Sequence, residues 1–267
     1  MIGVFDSGIG GLTVLKALAT HFPEENFLYL GDTARLPYGT KSPATIRKYS
    51  EQIMTYLITR KVKALVIACN TASSQVSETH WQSIPVYTVI EPGSQKALNV
   101  TKNGKIGVLG TRATIQSEIY TQFIKALAKV EARETEVFAQ ACPLFVPLAE
   151  EGLIDDPLTN LIAFRYLQPL LQNGIDTLIL GCTHYPLIKN SIARVCGDEI
   201  TLVDSGSALC ECLEQDFASG ALKKASTDSA VTRRIEVLST DISSHMKSWA
   251  LEIMSPLPVD QFTQIDL

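Results

Sequence analysis

Ala64-Leu65-Val66-Ile67-Ala68-Cys69-Asn70-Thr71-Ala72 and Thr177-Leu178-Ile179-Leu180-Gly181-Cys182-Thr183-His184-Tyr185 are two versions of one pattern. Each is a short apolar run, then a small residue, a cysteine and two polar residues. A run of that length with no polar alternation reads as a strand buried on both faces, as in a parallel sheet. Working outward, similar runs occur at Ile2–Phe5, Phe27–Leu30, Val86–Ile90, Ile106–Leu109, Val137–Ala141 and Ile200–Val203. Helical patterns lie between them, at Leu12–Ala19, Pro43–Thr59, Ile115–Val130 and Pro157–Gln172. The last opens with Asp156-Pro157, a capping residue followed by Pro at the first helical position, and closes at Asn173-Gly174. Strands alternating with helices predict an α/β fold built from βαβ units.

The two cysteine runs belong to a longer internal echo. Ile2-Gly3-Val4 matches Ile106-Gly107-Val108, and Val89-Ile90-Glu91-Pro92-Gly93-Ser94 matches Leu202-Val203-Asp204-Ser205-Gly206-Ser207. Three matches in the same order predict two similar parallel-sheet α/β domains with the active site in the cleft between them. Residues 1–95 with 207–267 would form the first, and residues 96–206 the second. Ligands of parallel sheets bind beyond the carboxyl ends of the strands. Cys69 and Cys182 sit at such ends, one per half, so facing halves would aim two thiols into one cleft from opposite sides. A helix N-terminus following each cysteine would lower the thiol pKa from about 8.5.

Composition excludes several classes. The chain has 267 residues, is 46% hydrophobic and 19% charged, and carries a formal net charge of -5. It has no basic run of the kind that nucleic acid or an anionic membrane surface demands. No apolar stretch approaches the roughly 18 residues of a membrane span. The start, Met1-Ile2-Gly3-Val4-Phe5-Asp6, lacks a basic leader and an apolar signal core. A cytoplasmic location is therefore expected, with the six cysteines as reduced thiols. The close pair Cys210 and Cys212 does not have zinc-ligand spacing, so no metal is expected.

Asp6-Ser7-Gly8-Ile9-Gly10-Gly11 follows a strand and leads into a helix. Such a turn brings backbone N–H groups towards a small anion. It lacks the Gly-Lys-Ser/Thr ending of a phosphate loop, and a dinucleotide fingerprint would need glycine at Thr13. A carboxylate is the anion that suits it. The loop Gly31-Asp32-Thr33-Ala34-Arg35-Leu36-Pro37-Tyr38-Gly39-Thr40 offers a phenol and backbone groups to a ligand. After Cys142-Pro143 and an apolar stretch come Glu150 and Glu151. The other four cysteines, Cys142 among them, lie in unmatched settings and read as buried hydrophobes.

These segments resemble the glutamate racemase family. The resemblance rests on Asp6-Ser7-Gly8-Ile9-Gly10-Gly11, Leu30 to Gly39, Ala68-Cys69-Asn70-Thr71-Ala72, Cys142 to Leu148, and Gly181-Cys182-Thr183-His184-Tyr185-Pro186, in family order. It implies cofactor-independent interconversion of L- and D-glutamate for peptidoglycan synthesis. Cys69 and Cys182 match the family's catalytic pair. Asp6 would assist Cys69, while His184 and Glu150 would assist Cys182, with a one-residue shift to Glu151 open. Asp6, Ser7, Tyr38, Gly39, Asn70, Thr71, Thr183 and His184 match substrate-contacting positions. Glutamate is then the small-molecule partner, no nucleic acid or membrane is involved, and a homodimer is compatible.

Other readings use the same residues. A racemase of aspartate or another acidic amino acid differs only in pocket depth. A cysteine hydrolase would pair Cys182 with His184, leaving Cys69 without a role. A solute-binding protein also has two α/β lobes, but would be expected to carry an export signal.

Overall fold

The computed structural model describes residues 1–225 and 234–267. Strand β1 (Ile2–Asp6) leads to helix α1 (Leu12–His21), then β2 (Phe27–Gly31), α2 (Pro43–Thr59), β3 (Ala64–Ile67) and the short α3 (Asn70–Ser73). The two-residue β4 (His80–Trp81) precedes β5 (Ile84–Thr88) and α4 (Ile90–Val100). A second series follows, comprising β6 (Lys105–Gly110), α5 (Arg112–Gln116), α6 (Ile119–Val130), β7 (Glu136–Ala141), α7 (Phe145–Glu150) and α8 (Pro157–Gln172). It continues with β8 (Thr177–Gly181), α9 (Lys189–Cys196), β9 (Thr201–Asp204) and α10 (Ser205–Ser219). After residue 233 come β10 (Ile235–Ser239), α11 (Ser244–Met254) and β11 (Gln261–Gln264).

The strands form two sheets, as the α/β reading requires. The first has the order β11-β10-β2-β1-β3-β5-β4 and is parallel except for the β4–β5 pair. The second has the order β7-β6-β8-β9 and is parallel throughout. Because strand side chains alternate between faces, β1 and β2 feed two cores. Ile2, Val4, Phe27 and Tyr29 pack with Leu12, Leu15 and Leu18 of α1 and with α10 and α11, whereas Phe5, Leu28 and Leu30 pack with Ile46, Ile53 and Leu57 of α2. The second sheet is covered by α8 on one face and by α4 and α6 on the other, through Leu178, Leu180 and Leu167, and through Ile106, Val108, Ala97 and Ile124.

Helices α2 and α8 begin as their caps dictate. Ser42 and Asp156 accept backbone N–H groups from Thr45 and Leu158, and each is followed by Pro at the first helical position. Two local expectations need correction. The strand expected at Val86–Ile90 runs from Ile84 to Thr88, because Val89 and Ile90 open α4. The single helix expected over Ile115–Val130 is two, broken at Glu118, whose φ of 55° is left-handed and interrupts the helical ladder. The C-terminal tail adds two strands to the first sheet, with β10 pairing in register against β2 and with β11 on its other side. The part of that tail at 226–233 lies outside the described residues.

Candidate active site

The motif residues are brought together where the two sheets turn their carboxyl ends towards each other. Strand β1 ends on Asp6, β3 delivers Cys69 two residues beyond its end, and β8 delivers Cys182 one residue beyond its own. Parallel sheets expose such positions to ligands. The result is a cavity of about 310 Å³ lined from both sheets. That volume is at the small end of ligand pockets, which run roughly 300–1,000 Å³. All eleven positions singled out in the sequence line it, namely Asp6, Ser7, Tyr38, Gly39, Cys69, Asn70, Thr71, Glu150, Cys182, Thr183 and His184. A larger hollow of about 560 Å³ lies behind α3 and beside α4, but contains none of them.

Cys69 caps α3, its sulfur accepting the N–H of Ala72 at 3.4 Å, and Ser7 Oγ lies 3.8 Å from the sulfur. The expectation of a lowered thiol pKa fails here. Burial pushes the Cys69 thiol well up, the negative charge of Asp6 pushes it further, and the N–H and hydroxyl donors offset only part of this. One turn of helix cannot replace the water lost by a thiolate that is 5% exposed.

Cys182 faces a different neighbour. Its sulfur lies 3.9 Å from His184 Nδ1, and His184 Nε2 lies 3.1 Å from Glu150 Oε1. Burial alone would lower the imidazole pKa. Hydrogen bonds to Cys182 and Glu150, with the charges of Cys182 and Asp6, outweigh burial and push it up to about 10. Glu150 is thus the carboxylate that meets His184, while Glu151 is exposed past the end of α7. The ring of Trp249 on α11 lies 6.0 Å from that of His184, centroid to centroid, a neighbour the tail sequence did not announce.

Asp6 links the two sides. Its Oδ2 accepts the N–H groups of Gly8 and Gly11 at 3.2 and 3.0 Å, and its Oδ1 accepts Thr183 Oγ1 at 3.5 Å. Thr13 of α1 donates to the Thr183 carbonyl at 2.9 Å. Across the opposite wall, Thr71 Oγ1 lies 2.8 Å from Thr111 Oγ1, and Tyr120 donates to Asn70 Oδ1 at 2.6 Å. Tyr38 is anchored by a short hydrogen bond from its hydroxyl to the buried Asp32, which also receives Arg35 Nε. Gly10 is where a side chain cannot go. A methyl group there would lie 2.5 Å from His184 Nδ1 and 2.7 Å from Thr183 Oγ1.

The cavity also takes residues that the motifs did not mark. Thr111 and Arg112 follow the end of β6, the strand that echoes β1, so following that echo to the strand end would have found them. Cys142, read as a buried hydrophobe, is 1% exposed yet lines the cavity, with its thiol pushed up by burial and then by Cys182. Two cysteines from matched strand ends, each with different acid–base neighbours, can address opposite sides of one small molecule.

The comparisons agree with this geometry. The family profile described as Asp/Glu/hydantoin racemase matches residues 10–213. A glutamate racemase of Geobacter metallireducens is 48% identical over 229 residues, covering 85% of this chain and 83% of its own. Among solved structures, a glutamate racemase isoform from Bacillus anthracis superposes with a TM-score of 0.92 at 33% identity, covering 100% of this chain and 97% of its own. The Francisella tularensis glutamate racemase in complex with D-glutamate gives a TM-score of 0.88 at 35% identity, covering 99% and 97%. The chain belongs to the Asp/Glu/hydantoin racemase family, among its glutamate racemases.

Proposed function

We propose that this chain interconverts L- and D-glutamate by a two-base mechanism in which Cys69 and Cys182 act on opposite faces of the substrate α-carbon. The observation that carries this reading is that the two cysteines leave equivalent strand ends of two sheets and line one cavity. One thiolate removes the α-proton, leaving a carbanion, and the thiol on the other face delivers a proton to that carbon. The reverse direction exchanges the roles, so each sulfur serves as both acid and base. Charge that develops towards the substrate carboxylate is met by fixed donors, the backbone N–H groups of Asn70–Thr71 and Thr183–His184 and the turn at Gly8–Gly11. A positively charged substrate ammonium entering beside Asp6 would relieve the negative field on Cys69, favouring its thiolate once substrate is bound.

His184, held by Glu150, is placed to stabilise negative charge on Cys182, and Asp6 tunes Cys69 through its charge. Ser7, Tyr38, Gly39, Asn70, Thr71 and Thr183 are assigned to substrate binding. The lobes are read as residues 1–95 with 207–267, and 96–206, with the cleft between them. The reading places the enzyme in the cytoplasm, supplying D-glutamate to peptidoglycan. Among the described residues no helix is long and apolar enough to cross a membrane. Exposed Leu161 and Phe164 on α8 are compatible with a homodimer.

The test is polarimetric. Purified protein is incubated with L-glutamate, and separately with L-aspartate, without added cofactor. Rotation of the glutamate solution should decay towards zero with formation of D-glutamate. Retained rotation with glutamate, or faster decay with aspartate, would overturn the assignment.

A further inference from the structure

The charges around the cavity are unevenly supplied. Two carboxylates, Asp6 and Glu150, and one imidazole, His184, share it, and His184 is already engaged by Glu150. The protein as a whole carries a formal net charge of -5. An acidic amino acid brings two further carboxylates and one ammonium. Entry of such a substrate is opposed by the protein's average field unless a cation stands at the opening.

Arg112 meets that requirement. Among the described residues it is the only lysine or arginine lining the cavity, and it is exposed, so it sits at the rim. It is the first residue of α5, directly after Thr111, whose side chain packs against Gly39 on the other lobe. Among the described residues its side chain has no ion-pair or hydrogen-bond partner. The other arginines near the cavity are committed, Arg35 to Asp32 and Arg47 to Glu51 and Glu78. An unpaired guanidinium presents five donors in a planar fork suited to a carboxylate.

We propose that Arg112 is the anion-collecting residue of the cavity mouth, drawing in and holding amino acids that carry a second carboxylate. This inference rests on glutamate as substrate. Arg112 is a binding residue at the rim and takes no part in proton transfer.

The experiment measures initial rates with L-glutamate and with D-glutamate for wild type, Arg112→Gln, Arg112→Lys and Arg234→Gln, between low and physiological ionic strength. Arg234→Gln removes the same charge just before β10, at the amino-terminal end of a strand and so away from the carboxyl ends that line the cavity. For Arg112→Gln, kcat/KM should fall by about three- to tenfold at low salt, mainly through KM, as expected for one charge pair near a protein surface. The salt dependence of kcat/KM should flatten with it. Arg112→Lys should recover most of the loss, and Arg234→Gln should stay within twofold of wild type. Unchanged KM in Arg112→Gln, a loss confined to kcat, or an equal loss in Arg234→Gln would overturn the proposal. Wild-type racemisation in the same assay keeps that outcome separate from failure of the glutamate reading.

Discussion

His184 is tied to Glu150 across the second lobe, with Nε2 3.1 Å from Oε1, while Nδ1 of the same ring looks towards Cys182 Sγ at 3.9 Å. The imidazole therefore joins a carboxylate half exposed at the end of α7 to a buried thiol just past β8. This arrangement gives the Cys182 side of the cavity a cationic neighbour, and Cys69 opposite has the anionic Asp6. The two thiols are alike in backbone setting and unlike in electrostatics.

Either Cys69→Ala or Cys182→Ala should cut racemisation by about a thousandfold or more, within the range of acid–base groups, while circular dichroism stays that of the wild type. In deuterated solvent each variant should still exchange the α-hydrogen of one enantiomer, with the two variants serving opposite enantiomers. Racemisation by either variant within tenfold of wild type would remove the two-base mechanism.

The upward shift of Cys69 predicts its labelling behaviour. Below its pKa the thiolate fraction rises tenfold per pH unit, so iodoacetamide modification of the Cys69 peptide in the free enzyme should climb without a plateau from pH 7 to 9. Mass spectrometry of that peptide provides the readout, and a plateau below pH 8 would mean that burial and Asp6 do not dominate the site.

His184 makes stability depend on pH in one direction. Its folded pKa of about 10 lies above the usual 6.5, so its protonated form stabilises the fold. That contribution is fully present below about pH 6.5 and is lost as pH rises through the folded value. Urea midpoints of wild type and His184→Asn should therefore converge between pH 6.5 and 10. Glu150→Gln should reduce the same slope and lower kcat more than it raises KM, whereas Glu151→Gln should do neither. The reverse pattern for the two glutamates would move the carboxylate by one position.

Gly10→Ala should disturb His184 without replacing a titrating residue. The added methyl meets the ring and Thr183 Oγ1 at distances that force a shift, which in packed interiors costs about 1–3 kcal/mol. Urea denaturation should show that loss, and kcat should fall with it. Wild-type stability and kcat in the variant would show that the α1 turn and the β8 loop can separate freely.

Asp6→Asn keeps the shape of the side chain but removes its charge. The turn that depends on its bonds to Gly8 and Gly11 should survive, so stability should change by about 1 kcal/mol or less. Turnover should drop more than affinity, because the charge acts on proton transfer at Cys69. A change confined to KM would make Asp6 a positioning group only.

The sequence by itself determined the α/β class, most of the strands and the identity of the motif residues. Those features are local. Short, mostly apolar runs such as Thr177–Leu180 between turn residues read as buried strands, and caps such as Asp156-Pro157 mark their own helix start. The internal echo also showed that Cys69 and Cys182 occupy equivalent strand ends. The tertiary structure decided what surrounds those ends. Nothing local gives Cys69 a raised pKa, because that follows from burial and from Asp6, 63 residues away in the chain. Choosing Glu150 over Glu151 took the direction in which one turn of α7 faces His184. The β10–α11–β11 tail carries no motif, yet β10 is mostly buried beside β2 and α11 brings Trp249 beside His184. Arg112 carries no motif at all. The echo of β1 in β6 leads to its strand end, but its place as a cation beside Asp6 and Glu150 emerges only where the carboxyl ends of two sheets meet around one cavity, because charge is felt through space and not along the chain.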